Sequence, residues 1–558
     1  MIGVLLYAAL LLQVAAAVNL TVDLGYARYR GKDIGDGIYR WAGMRYARSV
    51  SRVDGLRFTA PQEPLEESNK VTTDASQFGP LCIGTSSELT AEFGSKWSED
   101  CLFVNVFAPS TATNTSKLPV YVFTQGGGFN VNGNANYNGA DLIDAARGDM
   151  VVVNFNYRVG PYGFLASREV VANQTMSLNN GLRDQRFLLK WVQKYIHEFG
   201  GNSDHVTLGG ASAGGGSVVL QLTAFGGRND NLFHAAAAES AAFPPLRNVT
   251  QSQWQYDALL KRSGCEDIAC LASLDAVTFQ EAVRSLKLPF PGGKNPPIYF
   301  WNPTLDYDFI QDYTYNELKN DRYVKVPTIF GDSTNEGLNF TPKTISDYNR
   351  ARQFIIDQFP AVDWAKIRAA WKSPINQVTD PRWRALASDV FGHIRYNCPN
   401  LNMSSVYAEN NTFPTYQYRW NVGSASHVGE LPSIWGNGTT ASAVFMQAYW
   451  ASFIRSYDPN KYTAEFLVSK GHEIDNPEWT TFENSTGGLG NRLRFGDDNV
   501  VAMEQVGEEE WKRCGVISSM GLHLEQPISA GLRIAPLTSS LYLTFGIIVL
   551  GLAQWLCH

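Results

Sequence analysis

No run of lysine or arginine occurs in these 558 residues, and the formal net charge is −7. A chain without a basic patch lacks the electrostatic footprint of a nucleic-acid binder, so nucleic acid is not expected as a partner. Linkers are missing too. The length would allow several domains, yet no Pro/Ser-rich stretch, charge block or internal repeat marks a boundary. Cysteine is sparse, seven in all, and its spacing fits no metal-ligand pattern.

Long apolar runs lie at the two ends of the chain. Met1 to Ala17 is apolar and finishes in Ala15-Ala16-Ala17, an A-x-A cleavage pattern. Residues 1–17 are therefore expected to be a signal peptide, although the stretch lacks the usual basic start. Nine N-x-S/T sequons, at Asn19, Asn114, Asn173, Asn248, Asn339, Asn402, Asn410, Asn437 and Asn484, also fit export. In an exported chain the cysteines are expected to pair as disulfides. The expected destination is the secretory pathway, with the protein secreted or held on the outer cell surface. At the other end Leu541 to Cys557 spans 17 residues without a charge. Before it come the small residues Ser529-Ala530-Gly531 and a spacer from Leu532 to Ser540. Residues 529–558 thus match a glycolipid-anchor (GPI) signal, whose tail is removed on attachment. The rival is a transmembrane helix, which needs about 20 residues and would have to begin near Leu537. No Lys or Arg follows the tail to act as a cytoplasmic stop, which favours the anchor.

Between these ends the composition is that of a globular protein, with 44% apolar and 18% charged residues. Short apolar runs alternate with helical patterns, the signature of a mixed or parallel sheet flanked by helices. Expected strands are Leu102 to Phe107, Val120 to Phe123, Val151 to Phe155, Val206 to Leu208, Thr328 to Phe330 and Tyr416 to Trp420. The clearest expected helix is Leu182 to Phe199, with Leu188, Trp191, Val192, Tyr195, Ile196 and Phe199 on one face and Gly200-Gly201 ending it.

Two stretches carry chemistry. His205 to Leu220 reads HVTLGGASAGGGSVVL: a buried-strand run, the pentapeptide Gly210-Ala211-Ser212-Ala213-Gly214, and a small-residue helix start. A G-x-S-x-G turn between strand and helix holds its serine in strained dihedrals and pushes the hydroxyl outward. The N–H of Ala213 points into the same space at the positive end of the helix. By itself such a pentapeptide is often only a glycine-rich turn; the strand before it and the helix after it favour a nucleophile elbow. The second stretch, Gln125-Gly126-Gly127-Gly128-Phe129, follows an earlier strand of the same sheet. Successive glycines there can aim backbone N–H groups at one point, as an oxyanion hole requires, where an isolated triple glycine would be a surface loop.

With these in place, a set of motifs in fixed order resembles the type-B carboxylesterase/lipase family, the cholinesterase-like branch of the α/β-hydrolases. They are Gly55-Leu56-Arg57-Phe58, Ser98-Glu99-Asp100-Cys101-Leu102, QGGGF, Asn156-Tyr157-Arg158-Val159-Gly160, Asn180 to Arg186, Phe199-Gly200-Gly201 and GASAGGGSV. The resemblance runs from about Arg40 to Cys514 and implies a large, mostly parallel central sheet flanked by helices over residues 18–528. It implies a Ser-Glu-His triad: Ser212; Glu336 in the acid loop Gly331 to Gly337; and His427 in His427-Val428-Gly429-Glu430. Asp332 and Asp306 are rival carboxylates, but neither precedes the loop glycine as the family's acid does. The N–H groups of Gly127, Gly128 and Ala213 would hold the oxyanion. It also implies the disulfides Cys82–Cys101, Cys265–Cys270 and Cys398–Cys514, leaving Cys557 over, and structural ion pairs Arg57–Glu99 and Arg158–Asp184. No metal or organic cofactor is implied.

Departures from the pattern narrow the reading. Gln125 stands where many relatives have His, and Ala211 where many have Glu; the Gln and Ala versions resemble fungal secreted members. The usual acidic neighbour of the nucleophile is thus missing from the elbow. Cholinesterases carry a choline-binding tryptophan about ten residues before the second cysteine of their first disulfide loop, and Ala91 occupies that place here. The expected activity is hydrolysis of carboxylic esters, small or lipid, through an acyl-enzyme. A triacylglycerol lipase is the nearer alternative. A non-catalytic, neuroligin-like adhesion module is the more distant one, since adhesion alone would not require an intact Ser, Glu, His and triple Gly.

Overall fold

Runs such as Val120 to Phe123 and Val151 to Phe155, apolar without alternation, must be covered on both faces. In the computed structural model of the chain they lie inside an eleven-stranded sheet. The structure describes residues 18–520 and Leu524, apart from 68–70, 89–92, 133–135, 372–381, 411, 437, 472–476, 483–488, 498–499 and the side chain of Asn410. The expected signal segment and the C-terminal site, spacer and tail fall outside the described residues, as do Ala91, Asn437, Asn484 and Cys557.

The strands are β1 (Lys32–Asp33), β2 (Ile38–Arg45), β3 (Phe103–Pro109), β4 (Leu118–Thr124), β5 (Val151–Phe155), β6 (Gly201–Ala211), β7 (Ala235–Glu239), β8 (Thr328–Ser333), β9 (Thr415–Asn421), β10 (Asn491–Gly496) and β11 (Val501–Gln505). Their order across the sheet is β11-β10-β9-β8-β7-β6-β4-β5-β3-β2-β1. The strands from β10 to β5 run parallel. Antiparallel strands extend the sheet at both sides. All six expected strands form within it, most of them longer than the apolar run that signals them.

Alternate side chains of each strand enter two apolar layers. On one face Val104, Val120, Val122, Val153 and Leu208 pack with Leu188, Trp191 and Val192 of helix α1 (Asn180–Tyr195) and Val218 and Val219 of α2 (Ala213–Leu222). On the other, Tyr121, Phe123, Val152, Ile329, Tyr418 and Phe495 pack with Tyr449, Trp450 and Phe453 of α3 (Ala441–Ser456). Each such buried side chain contributes about 1.5–3 kcal/mol, so the two layers hold the sheet rigid. The helix expected over Leu182 to Phe199 ends its α-helical part at Tyr195, and Ile196–Phe199 tighten into a 3₁₀ turn before Gly200 at φ 82°.

β7 is not legible in the sequence as a strand. Its sequence, AAAAE, is poor in the β-branched and aromatic residues that favour strands. It forms because β6 and β8 satisfy its backbone on both sides while its five residues are fully enclosed. Outside the sheet, the three disulfides Cys82–Cys101, Cys265–Cys270 and Cys398–Cys514 are formed. Arg57 and Glu99 form a buried ion pair at 2.5 and 3.0 Å, and Arg158 and Asp184 one at 2.8 and 2.7 Å. These join loops to the scaffold and lie apart from the chemistry below.

Candidate active site

Five parallel strands bring their carboxyl ends to one edge of the sheet, the edge where open α/β sheets form their crevices. The triple glycine follows β4, Ser212 follows β6, Ser240 follows β7, Glu336 stands shortly after β8, and His427 stands shortly after β9.

Ser212 occupies a strand-to-helix turn with φ 59° and ψ −122°, a conformation that costs about 1–3 kcal/mol and persists only when its surroundings enforce it. They do. Ser212 N–H donates to the carbonyl of Glu239 at 2.9 Å, and the Ser212 carbonyl accepts from Ala242 at 3.0 Å and Gly216 at 2.8 Å. A Cβ at position 214 would fall 2.0 Å from the Thr124 carbonyl, so only glycine lets the elbow close against β4.

The serine hydroxyl lies 2.7 Å from Nε2 of His427. Nδ1 of the same ring bonds to Oε2 of Glu336. Oε1 of Glu336 accepts from the Ser333 N–H at 2.6 Å and from the Ser240 hydroxyl at 2.7 Å. The carboxylate is thus held on both oxygens, which fixes the imidazole in turn. The three expected residues are brought into one hydrogen-bonded line from serine to carboxylate. Asp332, the nearer rival, is fully buried beside Arg419 at 2.6 Å. Burial lifts its carboxyl to about 6 against the pull of that arginine. Asp306 accepts from Asn179 at 2.9 Å and Ile310 at 2.8 Å, away from the histidine.

The N–H groups of Gly127, Gly128 and Ala213 donate to no acceptor among the described residues. Gly128, at φ 61°, could carry no side chain, because a Cβ there would meet the Tyr299 ring at 2.0 Å. The loop is pinned from behind by buried Asn130. Its Nδ2 donates to the carbonyls of Gly128 at 2.6 Å and Trp301 at 2.7 Å, and its Oδ1 accepts from the Trp301 N–H at 3.1 Å. Unsatisfied N–H groups on a braced loop, beside a serine at a helix N-terminus, can stabilise developing negative charge on a carbonyl oxygen.

Several contributors escape a reading of the sequence. Ser240 becomes visible only once AAAAE is recognised as a strand, since it is the next residue. Asn130 lies one place beyond the QGGGF motif. Tyr396 and Phe340 wall the histidine, with ring centroids 4.2 and 5.1 Å from its own. Tyr396 belongs to a π-helical turn, His393–Asn397, a local irregularity that recurs at functional sites. The elbow's missing acid has a counterpart: Ala211 is the direct register partner of Glu239 on β7. Glu239 is fully buried with no hydrogen-bond partner for either oxygen among the described residues. Burial, then the nearby Glu430 carboxyl, hold its pKa well above the usual carboxylate range. Glu430 itself is pushed up to about 7 by burial, against the Tyr418 hydroxyl that donates to it.

The Glu239 carboxyl therefore stays protonated in the folded chain where the unfolded chain has already released its proton. Between those two pKa values the native state binds the extra proton, so its contribution to stability falls as pH rises, by about 1.4 kcal/mol per pH unit. Glu239→Gln removes that slope. The variant is expected to lose less Tm than the wild type between pH 5 and pH 8. Equal losses in the two proteins would mean that Glu239 is not held neutral.

The sequence profile of the carboxylesterase family matches residues 19–505. The chain is 31% identical over 419 residues to para-nitrobenzyl esterase of Bacillus subtilis, covering 72% of this chain and 80% of that protein. It is 27% identical over 477 residues to secreted lipase 4 of Gibberella zeae, covering 77% and 81%. Among solved structures, Aspergillus niger EstA superposes with a TM-score of 0.82 at 35% identity, covering 90% of this chain and 99% of that one. The fold is the α/β-hydrolase fold that this likeness carries.

Proposed function

We propose, from the premise that this chain belongs to the carboxylesterase family, that Ser212, His427 and Glu336 are the catalytic groups of a serine carboxylesterase. The activity is hydrolysis of carboxylic esters. In the proposed mechanism His427 Nε2 takes the proton of Ser212 as Oγ attacks the ester carbonyl. The negative charge that forms on the carbonyl oxygen is received by the N–H groups of Gly127, Gly128 and Ala213. His427 then gives its proton to the departing alcohol, leaving an acyl group on Ser212. Water, deprotonated by the same nitrogen, attacks the acyl-enzyme and releases the acid. Glu336 keeps the imidazole in the tautomer that can accept the serine proton, and stabilises its cationic form. The observation that carries this reading is the continuous bonding from Ser212 Oγ at 2.7 Å through His427 to a carboxylate anchored at 2.6 and 2.7 Å. An adhesion surface would have no use for such a relay.

A fluorophosphonate probe tests the reading directly: it is expected to modify Ser212 and to abolish turnover of p-nitrophenyl esters. Modification at another serine would overturn the assignment. A panel of increasing acyl length, read with and without emulsified triglyceride, separates esterase from lipase.

We further propose that residues 18–528 are one catalytic unit, exported by cleavage near Val18, and that residues 529–558 direct attachment of a glycolipid anchor. Support comes from the terminal small-residue, spacer and apolar pattern. Among the described residues no helix is long and apolar enough to cross a membrane. Phosphatidylinositol-specific phospholipase C is expected to release esterase activity from intact cells, with no peptide beyond about Gly531 found by mass spectrometry. Recovery of Leu541 to His558 from the mature protein would rule the anchor out.

A further inference from the structure

Seven arginines are buried in the described chain, and five of them have a carboxylate partner: Arg57, Arg158, Arg186, Arg419 and Arg492. The other two, Arg247 and Arg395, are 3% and 4% exposed and make no salt bridge among the described residues. Nε and Nη2 of both are buried without a partner. They are also neighbours. Burial, and then the charge of Arg395, push Arg247 down to about 9. Aromatic faces are their principal compensation: Phe290 lies 3.7 Å from the Arg247 guanidinium and Tyr299 lies 5.2 Å from that of Arg395. Two like charges buried together, with unfilled donors, lack an anion.

Their position ties that lack to the ester site. Arg395 precedes Tyr396, whose ring lies against His427. Its carbonyl accepts from Phe243 N–H at 3.0 Å, and the adjacent Ala242 N–H donates to the Ser212 carbonyl at 3.0 Å. Tyr299, under its guanidinium, is the ring that packs against Gly128. We propose that Arg247 and Arg395 recognise a carboxylate carried by the ester substrate itself, so that the enzyme favours half-esters of dicarboxylic acids or esters of hydroxy acids. This rests on the reading of Ser212 and His427 as the catalytic groups. The planar guanidinium fork matches a carboxylate in geometry, and the substrate supplies the counter-charge the fold omits.

Two isosteric pairs test it. On the acyl side monoethyl succinate is compared with ethyl 4-methylpentanoate, and on the alcohol side 3-acetoxypropanoate with 3-methylbutyl acetate. In at least one pair kcat/KM is expected to be about 10- to 100-fold higher for the carboxylate, and that pair identifies the side served. Arg395→Met is expected to bring the ratio to about one or below, and Arg247→Met to lower it. Free succinate should raise the Tm of the wild type and not that of Arg395→Met. Ratios at or below one in both pairs would overturn the proposal, as would a preference that Arg395→Met leaves intact. Failure to hydrolyse any of the four esters would instead count against the hydrolase reading, and the succinate shift would still report on the arginine pair.

Discussion

Ser212→Ala is expected to lower kcat on a p-nitrophenyl ester by about 10⁴-fold or more, with Tm nearly unchanged. The size of the loss follows from what the hydroxyl does. It is the atom that would bond to the acyl carbon, and its side-chain partner among the described residues is Nε2 of His427 at 2.7 Å. Alanine deletes that atom and little else. The backbone bonds that hold the turn, from Ser212 N–H to Glu239 and to its carbonyl from Ala242 and Gly216, are indifferent to the side chain. His427→Ala is expected to cost as much, and the double variant no more than either single one, because nucleophile and base act as a unit. The residual rate over water would come from the donors of Gly127, Gly128 and Ala213, which neither change touches. Steady-state kinetics on the three variants, with thermal denaturation as the folding control, checks this. A Ser212→Ala protein that keeps a tenth of the activity would place the nucleophile elsewhere.

The parts of the site that the sequence makes legible are those where chemistry and backbone demand the same residues. A serine on a strained turn needs small residues around it, so Gly210 to Gly214 stands out; a donor loop needs glycine, so Gly126 to Gly128 does. The strands with Val, Ile, Tyr and Phe in unbroken runs are legible for a similar reason, since only a doubly covered sheet tolerates them. What stays hidden depends on contacts between distant elements. β7 is a strand because of its neighbours and in spite of its alanines, and with it Ser240 and Glu239 are lost to sequence reasoning. Arg395, Tyr396 and Asn397 fall together in a π turn whose bulge no periodic pattern announces; Tyr396 faces His427, and Asn397 holds the Ser333 carbonyl at 2.9 Å. The acid beside the elbow is the clearest instance. Ala211 reads as the loss of a carboxyl, yet the adjacent strand returns one at the same level of the sheet.

Glu336→Gln separates the acid's electrostatic role from its shape, and its effect is expected to be nearly as large as that at Ser212. An amide has one oxygen and one NH₂, so the substitution must place each. Oε1 receives the Ser333 backbone N–H at 2.6 Å, a donor that cannot turn away, and an NH₂ there would oppose it. The Ser240 hydroxyl, at 2.7 Å on the same oxygen, can rotate but adds no room for a second donor. Oxygen therefore keeps that side, and the NH₂ faces Nδ1 of His427. The imidazole can then only accept at Nδ1, which sends its proton to Nε2. In that tautomer Nε2 points a donor at Ser212 and cannot take the serine's proton. The cation that forms on proton transfer also loses its counter-charge. A fall in kcat of about 10⁴-fold is expected, with the fold retained. Asp332→Asn is expected to be far milder on kcat, because that carboxylate faces Arg419 and not the histidine, and its cost should appear as lowered Tm. Comparison of kcat and Tm for the two variants decides the matter: if Asp332→Asn were the one to abolish turnover, the acid of the triad would be Asp332.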